Sequence, residues 1–171
     1  MKVLITFFSQ TGNTKKIAEA MAETLNEGEV DIKPIENVDA SKLKSYDVVF
    51  LGSGVYASRV DRSLLKLVKQ APTLPKNVAY FCTHASLELY QNPFKKITTL
   101  IEKTGAKILG QFDCVGENLG IPEEKQREML EKLPPKQKEK ALKDKHKIKG
   151  RPNQEDLKDA KEFILSLIET L

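Results

Sequence analysis

Apolar runs of strand length alternate with amphipathic segments along the chain. Residues 47–52 and 77–82 are apolar almost throughout, which is typical of strands covered on both faces. Residues 153–171 place apolar side chains at the three- and four-residue spacing of a helix. The whole pattern predicts strands at 2–8, 30–33, 47–52, 77–82 and 107–115, and helices at 14–26, 61–70, 93–104 and 153–171.

Strands that alternate with helices predict a parallel sheet with right-handed crossovers. The second strand alternates Val30 and Ile32 with charged residues, as an edge strand does. We therefore expect one α/β domain over residues 1–171, with three αβα layers and a five-stranded sheet in the order 2-1-3-4-5. Ligands of such sheets bind beyond the carboxyl ends of the strands, at the point where the order reverses. The binding chemistry should lie in loops 9–14, 53–60 and 83–92.

The first of these loops reads Ser9-Gln10-Thr11-Gly12-Asn13-Thr14 and leads directly into the first helix. Free N–H groups at a helix N-terminus favour an anion, and the hydroxyl groups add donors. Gly12 is the only glycine in the loop, so the glycine-rich motifs for dinucleotides and for nucleoside triphosphates are both absent. The pattern favours a phosphate monoester bound without a metal. The alternative is a turn whose Ser and Thr only cap the helix.

This loop resembles the S/T-x-T-G-x-T phosphate loop of flavodoxins, which binds the phosphate of flavin mononucleotide (FMN). Loop 53–60 then resembles the segment that covers the outer flavin face, with Tyr56 as the stacking ring and Ala57 in place of a frequent glycine. The third loop would hold the pyrimidine edge, and either Leu87 or Tyr90 could cover the inner face. The resemblance implies these FMN-binding residues: Ser9, Gln10, Thr11, Gly12, Asn13, Thr14, Ser53, Gly54, Val55, Tyr56, Ala57, Thr83, His84, Ala85, Ser86 and Tyr90.

One histidine and two cysteines at the predicted strand ends could be functional or could have only an ordinary structural place. A single histidine in a loop is more often solvated than functional, although His84 could sense flavin charge. Cys82 and Cys114 end adjacent strands, where a redox pair is conceivable. We expect two reduced thiols, because two cysteines make neither a disulfide framework nor a metal site.

The positive charge of the chain is concentrated in one segment. The net charge is +4, but residues 132–151 carry nine Lys or Arg against Glu139 and Asp144, a net +7 that leaves −3 for the remainder. This segment falls within a long Lys-rich insert, 116–152, in which we predict helices at 123–133 and 136–145, separated by Pro134-Pro135. No aromatic residues are interleaved with the lysines, which argues against nucleic acid. Such a run is usually a solvated loop or helix face; the alternative is a surface that docks an acidic partner protein through charge.

The resemblance implies a protein that carries low-potential electrons between redox proteins, such as reductases and iron–sulfur proteins. The alternative is an FMN-dependent oxidoreductase on the same fold, a quinone reductase or a protoporphyrinogen oxidase-like enzyme. A third class is a binding module without redox activity. No apolar stretch approaches the ~20 residues of a membrane span and the chain starts with a strand, so we expect a cytoplasmic protein, a monomer or weak dimer.

Overall fold

The computed structural model describes residues 1–26, 28–89 and 91–171. The strands are β1 (Val3–Phe8), β2 (Val30–Pro34), β3 (Val48–Tyr56), β4 (Arg59–Val60), β5 (Asn77–His84) and β6 (Lys107–Val115). The α-helices are α1 (Asn13–Ala22), α2 (Arg62–Gln70), α3 (Lys95–Glu102), α4 (Glu123–Glu131), α5 (Pro135–Ile148) and α6 (Gln154–Ile168). Two 3₁₀ segments, Ile35–Asn37 and Ala40–Ser45, connect β2 to β3.

The main sheet is parallel and has the order β2-β1-β3-β5-β6, with the two-residue β4 paired antiparallel to β3. Without β4, this is the predicted order 2-1-3-4-5, and the αβα fold is confirmed. The edge position of β2 is confirmed too. The carboxyl ends of β1, β3 and β5 therefore meet at one edge of the sheet, which is the edge where the predicted loops begin.

The two faces of the sheet are covered by different helices. On one face, Ile5, Phe50 and Phe81 pack with residues of α1 and α6 such as Ile17 and Ile164. On the other face, side chains of the same strands pack with α2 and α3; they include Leu4, Val49, Tyr80, Leu64 and Ile97. The alternation of side chains along each strand produces this division. Burial of each large apolar side chain in these two layers contributes about 1.5–3 kcal/mol to the stability of the fold.

The third strand is longer than its apolar run. We predicted that it ends at Gly52, but β3 continues to Tyr56 because Ser53 and Gly54 pair in register with Cys82 and Thr83 of β5. Segment 53–60 is therefore a strand end and a tight hairpin to β4, and the prediction of a loop there was wrong.

The Lys-rich segment contains two helices, as predicted. Helix α4 ends at Glu131, and α5 begins at Pro135, where the missing N–H of proline costs the helix nothing. The neck of the segment is closed by backbone contacts: the Glu117 N–H donates to the Arg151 carbonyl at 2.7 Å. The Gly150 N–H donates to Glu117 Oε2 at 2.8 Å. The chain leaves and rejoins the fold at the same place.

We expect Gly52→Ala to lower the free energy of unfolding by about 1–3 kcal/mol through overpacking. Gly52 pairs with Phe81, and a Cβ at this position would overlap the buried Phe81 ring. Gly110→Ala in β6 is the matched control, because its Cβ would meet its nearest neighbour, Phe163, at an ordinary 3.4 Å. Urea denaturation of both variants measures the difference. Equal losses in the two variants would contradict close packing at Gly52.

Candidate functional site

The turn between β1 and α1 contains backbone donors that the helix itself does not pair. Gly12 precedes the helix with a φ of 91°, a conformation that favours glycine. The first backward helical bond runs from the Lys16 N–H to the Gly12 carbonyl at 3.0 Å. The N–H groups of Asn13 and Thr14 lie in the first helical turn and have no acceptor within the helix. The turn is therefore shaped to receive an anion.

Helix capping accounts for only one hydroxyl of this turn. Ser9 Oγ accepts from the Lys15 N–H at 3.2 Å, whereas the capping residue Gly12 has no side chain. Thr14 is buried, and its Oγ1 lies 2.9 Å from Thr83 Oγ1. Because this bond ties α1 to the end of β5, the first and third predicted loops are held together by side chains.

The hairpin from β3 to β4 turns through two non-glycine residues in the left-handed region. Ala57 has a φ of 48° and Ser58 a φ of 63°. The flanking pairs Tyr56–Arg59 and Val55–Val60 impose this conformation, since two-residue hairpins favour left-handed turns. Each such residue costs roughly 1–2 kcal/mol. Ala57, which stands where the flavodoxin segment frequently has glycine, is thus held at a positive φ by the hairpin.

Tyr56 leans from this hairpin across the end of β1. Its ring lies edge-on to Phe8, with centroids 6.0 Å apart and planes at 77°. A Cβ at position 54 would lie 2.7 Å from the Tyr56 hydroxyl, so the glycine there makes room for the ring. Burial raises the pKa of the Tyr56 hydroxyl, and the backbone N–H of Gln10 partly opposes that shift. Tyr56 thus reaches the first loop.

His84 is buried, so the interpretation of a solvated loop histidine was wrong. It ends β5, and 5% of its surface is exposed. Its Nδ1 lies 2.8 Å from the Ser86 carbonyl oxygen and its Nε2 lies 3.0 Å from Asp113 Oδ2. Both ring nitrogens face oxygen acceptors, which fixes the orientation of the ring. Burial was not visible from the sequence because it requires the neighbouring β6.

These elements enclose a cavity of about 340 Å³ at the carboxyl edge of the sheet. Eleven of the predicted site residues line it: Gln10, Thr11, Asn13, Thr14, Gly54, Val55, Tyr56, Ala57, Thr83, His84 and Ala85. The three predicted segments therefore converge on one space.

Four other predicted residues are placed differently. Ser9, Gly12, Ser53 and Ser86 are not among the residues that line the cavity. The buried Ser53 Oγ donates to the Gly54 carbonyl at 2.7 Å and accepts from the Asp61 N–H at 3.0 Å, so it supports the hairpin. Ser86 Oγ donates to the Glu88 carbonyl at 2.7 Å. Tyr90 lies outside the described residues.

The sequence analysis missed a fourth segment of the cavity wall, which follows β6: Gly116, Glu117, Asn118, Gly120 and Ile121. A Cβ at Gly116 would lie 2.7 Å from Asn13 Nδ2, which instead donates to the Glu117 carbonyl at 2.8 Å. The carboxyl end of β6 lies at the same sheet edge as the others. The parallel order itself could have indicated this segment, had it not been treated as an insert.

The comparisons with known proteins agree with this geometry. Residues 4–165 match the family model described as a flavodoxin domain. The chain belongs to the flavodoxin family. A flavodoxin-like domain-containing protein, BilS, of Clostridioides difficile is 34% identical over 139 residues, covering 78% of this chain and 77% of that protein. An uncharacterised protein of Methanocaldococcus jannaschii is 29% identical, covering 98% and 99% of the two chains.

Solved flavodoxin structures share the fold. Oxidised flavodoxin 2 of Bacillus cereus superposes with a TM-score of 0.67 at 19% identity, with 100% of each chain covered. FMN is the cofactor of this family, and the donor set fits it. The α1 turn supplies N–H and hydroxyl donors, and the buried Asn13 Oδ1 has no partner among the described residues. No helix in the described part of this flavodoxin-family chain is long and apolar enough to cross a membrane.

The two cysteines lie on opposite faces of the sheet. Cys82 packs in the core under α2 and α3, and Cys114 packs in the core under α1 and α6. Both thiols are free, and burial raises the pKa of each. Since their side chains point in opposite directions from neighbouring strands, this arrangement does not allow them to pair.

Proposed function

We propose that this protein is an FMN-dependent electron carrier whose FMN lies in the cavity at the carboxyl edge of the sheet. The observation that supports the proposal is the convergence of the α1 turn, the Tyr56 hairpin and the end of β5 on that space. Residues 1–171 would then be one domain, with residues 116–152 contributing both a cavity wall and an exposed helical hairpin.

Bound FMN supplies one- and two-electron redox chemistry, and the protein binds and orients it. Thr11 and the N–H groups of the α1 turn would hold the phosphate. The unpartnered Asn13 Oδ1 would accept a hydrogen bond from a cofactor hydroxyl. Tyr56 and Ala57 would cover one ring face, while Thr83, His84 and Ala85 would bind an edge. The hydrogen bonds of His84 keep that wall fixed.

We expect Thr11→Val to weaken FMN binding three- to tenfold, because it removes one donor to a charged phosphate, a loss of about 1 kcal/mol. Thr99→Val is the control: that exposed hydroxyl donates to the Lys95 carbonyl at 3.1 Å, far from the cavity. Quenching of FMN fluorescence on titration into apoprotein measures the affinity. Unchanged affinity in Thr11→Val would rule out its role at the phosphate.

The outer face of α5 suits an acidic redox partner. Lys136, Lys140, Lys143 and Lys147 recur at helical spacing and are all exposed. One of them, Lys143, pairs with Glu139 at 2.9 Å, which leaves the surface strongly positive. Charge of one sign on one partner steers association with the opposite charge. We propose that this face, the basic helix face, docks an acidic electron-transfer protein.

We expect Lys136→Gln, Lys140→Gln and Lys147→Gln together to slow electron transfer to an acidic rubredoxin severalfold and to flatten its dependence on ionic strength. Stopped-flow mixing of the reduced FMN protein with rubredoxin measures the rate. The control combines Lys44→Gln, Lys103→Gln and Lys107→Gln, an equal change in charge at exposed sites elsewhere. If both triple variants change the salt dependence equally, the basic helix face is not the docking surface.

A second candidate function, an FMN-dependent quinone reductase, is favoured by a cavity of about 600 Å³ between α4 and α5. Met129 and Leu130 face Ala141 and Ile148 across it, and it shares Ala85, Glu117, Asn118 and Ile121 with the smaller cavity. A space of this size with both apolar and polar lining residues, beside a redox cofactor, suits a small organic substrate.

If the second function holds, Ala141→Phe should raise the KM for a soluble quinone at least tenfold by filling the cavity. The reaction followed is NADH + H⁺ + quinone → NAD⁺ + hydroquinone, read as NADH absorbance. Leu142→Phe is the control, since Leu142 is exposed and does not line the cavity. Absence of turnover by the FMN-loaded parent protein, or equal KM values in both variants, would leave electron carriage as the better proposal.

A further inference from the structure

A third cavity, of about 720 Å³, lies on the other side of the Tyr56 hairpin, between α2 and α3. Its walls come from the hairpin and β4 (Ser58–Val60), the exposed side of α2, and the segment that leads into α3. The residues of the α1 turn and the end of β5 do not line it. It is therefore a separate space from the FMN cavity, and none of the roles proposed above uses it.

The charged side chains that line this cavity are nearly all positive. Six cations line it: Arg59, Arg62, Lys66, Lys69, Lys95 and Lys96. Within the described ranges, no carboxylate oxygen lies within 4.0 Å of any of them. Asp61 is the one acidic residue of the lining, and its Oδ1 accepts from the Ser63 N–H at 2.8 Å as the cap of α2. Six like charges around one concavity raise the local concentration of anions.

Beside its cations and the polar Gln70, Gln91 and Asn92, the same cavity has an apolar part of its lining, which we call its floor. Val60 and Leu65 are half-buried, and Pro93 and Ile97 are buried. An inorganic anion would gain nothing from such a floor, whereas an aromatic or aliphatic group would be removed from water there. The volume falls in the range of ~300–1,000 Å³ that small-molecule sites occupy. The basic helix face of α5, by contrast, is an exposed surface that suits a protein.

We propose that this α2–α3 cavity is a second ligand site, for a phosphorylated small molecule of the nucleotide class. Its phosphates would bind the guanidinium and ammonium groups of α2 and α3, and its base would lie on the apolar floor. Ser58 lines this cavity and the adjacent Ala57 lines the FMN cavity, so the strained two-residue turn separates the two sites.

The test is calorimetric titration of ADP into FMN-saturated protein, in which the FMN cavity is already filled. Inorganic pyrophosphate and adenosine are titrated separately. We expect ADP to bind at one equivalent, at least tenfold more tightly than either fragment, because only ADP uses both the cations and the floor. The affinity should fall as ionic strength rises.

The double variant Lys66→Gln, Lys69→Gln should bind ADP about tenfold more weakly and keep its FMN affinity. Lys136→Gln, Lys140→Gln removes the same charge from α5 and should leave ADP affinity within twofold. Thermal unfolding of each variant checks that both fold.

Failure of ADP to bind, or equal losses in the two double variants, would overturn the site. Pyrophosphate that binds as tightly as ADP would replace the nucleotide class with a simple anion. Loss of FMN affinity in the Lys66→Gln, Lys69→Gln variant would instead count against the placement of FMN in the cavity at the carboxyl edge.

Discussion

The parallel pairing of β1, β3 and β5 is the constraint on which the rest of this structure depends. It places the carboxyl ends of the three strands at one edge, so that residues 69 positions apart in sequence, Thr14 and Thr83, come within 2.9 Å of each other through their hydroxyl groups. β3 holds the centre because it is buried on both faces, and Gly52 gives the Phe81 ring the room it needs. A different order of strands would leave the same residues without a common cavity.

A second set of contacts joins the two ends of the Lys-rich insert, residues 116–152, so that this long segment does not disturb the sheet edge. The Glu117 carbonyl accepts from the Asn13 side-chain amide. The Glu117 carboxylate accepts from the Gly150 N–H, and the Glu117 N–H donates to the Arg151 carbonyl. Just beyond, Asp156 is buried, pairs with Arg151 and completes the cap of α6 with Asn153. The neck is therefore rigid, while α4 and α5 contain no buried residues.

The Tyr56 hairpin separates two cavities whose linings differ in charge. On one side, the cavity at the carboxyl edge of the sheet is lined by hydroxyl and amide groups with Glu117 at its wall, and on the other, six cations surround an apolar floor. The hairpin keeps Ala57 and Ser58 at positive φ, so its conformation is set by β3–β4 pairing. Such a turn is suited to hold Tyr56 in place as a fixed wall.

The sequence by itself determined the alternation of strands and helices and the order of the main sheet, and it placed hydroxyl and N–H donors together in residues 9–14. These features depend on local periodicity and on the chemistry of adjacent residues, which a sequence displays directly. Only the tertiary structure decided that His84 is buried against Asp113, that Cys82 and Cys114 face opposite cores, and that residues after β6 complete the cavity. Each of these depends on contacts between residues distant in sequence. The extension of β3 through Ser53 and Gly54 belongs with them, because its cause is the register with β5.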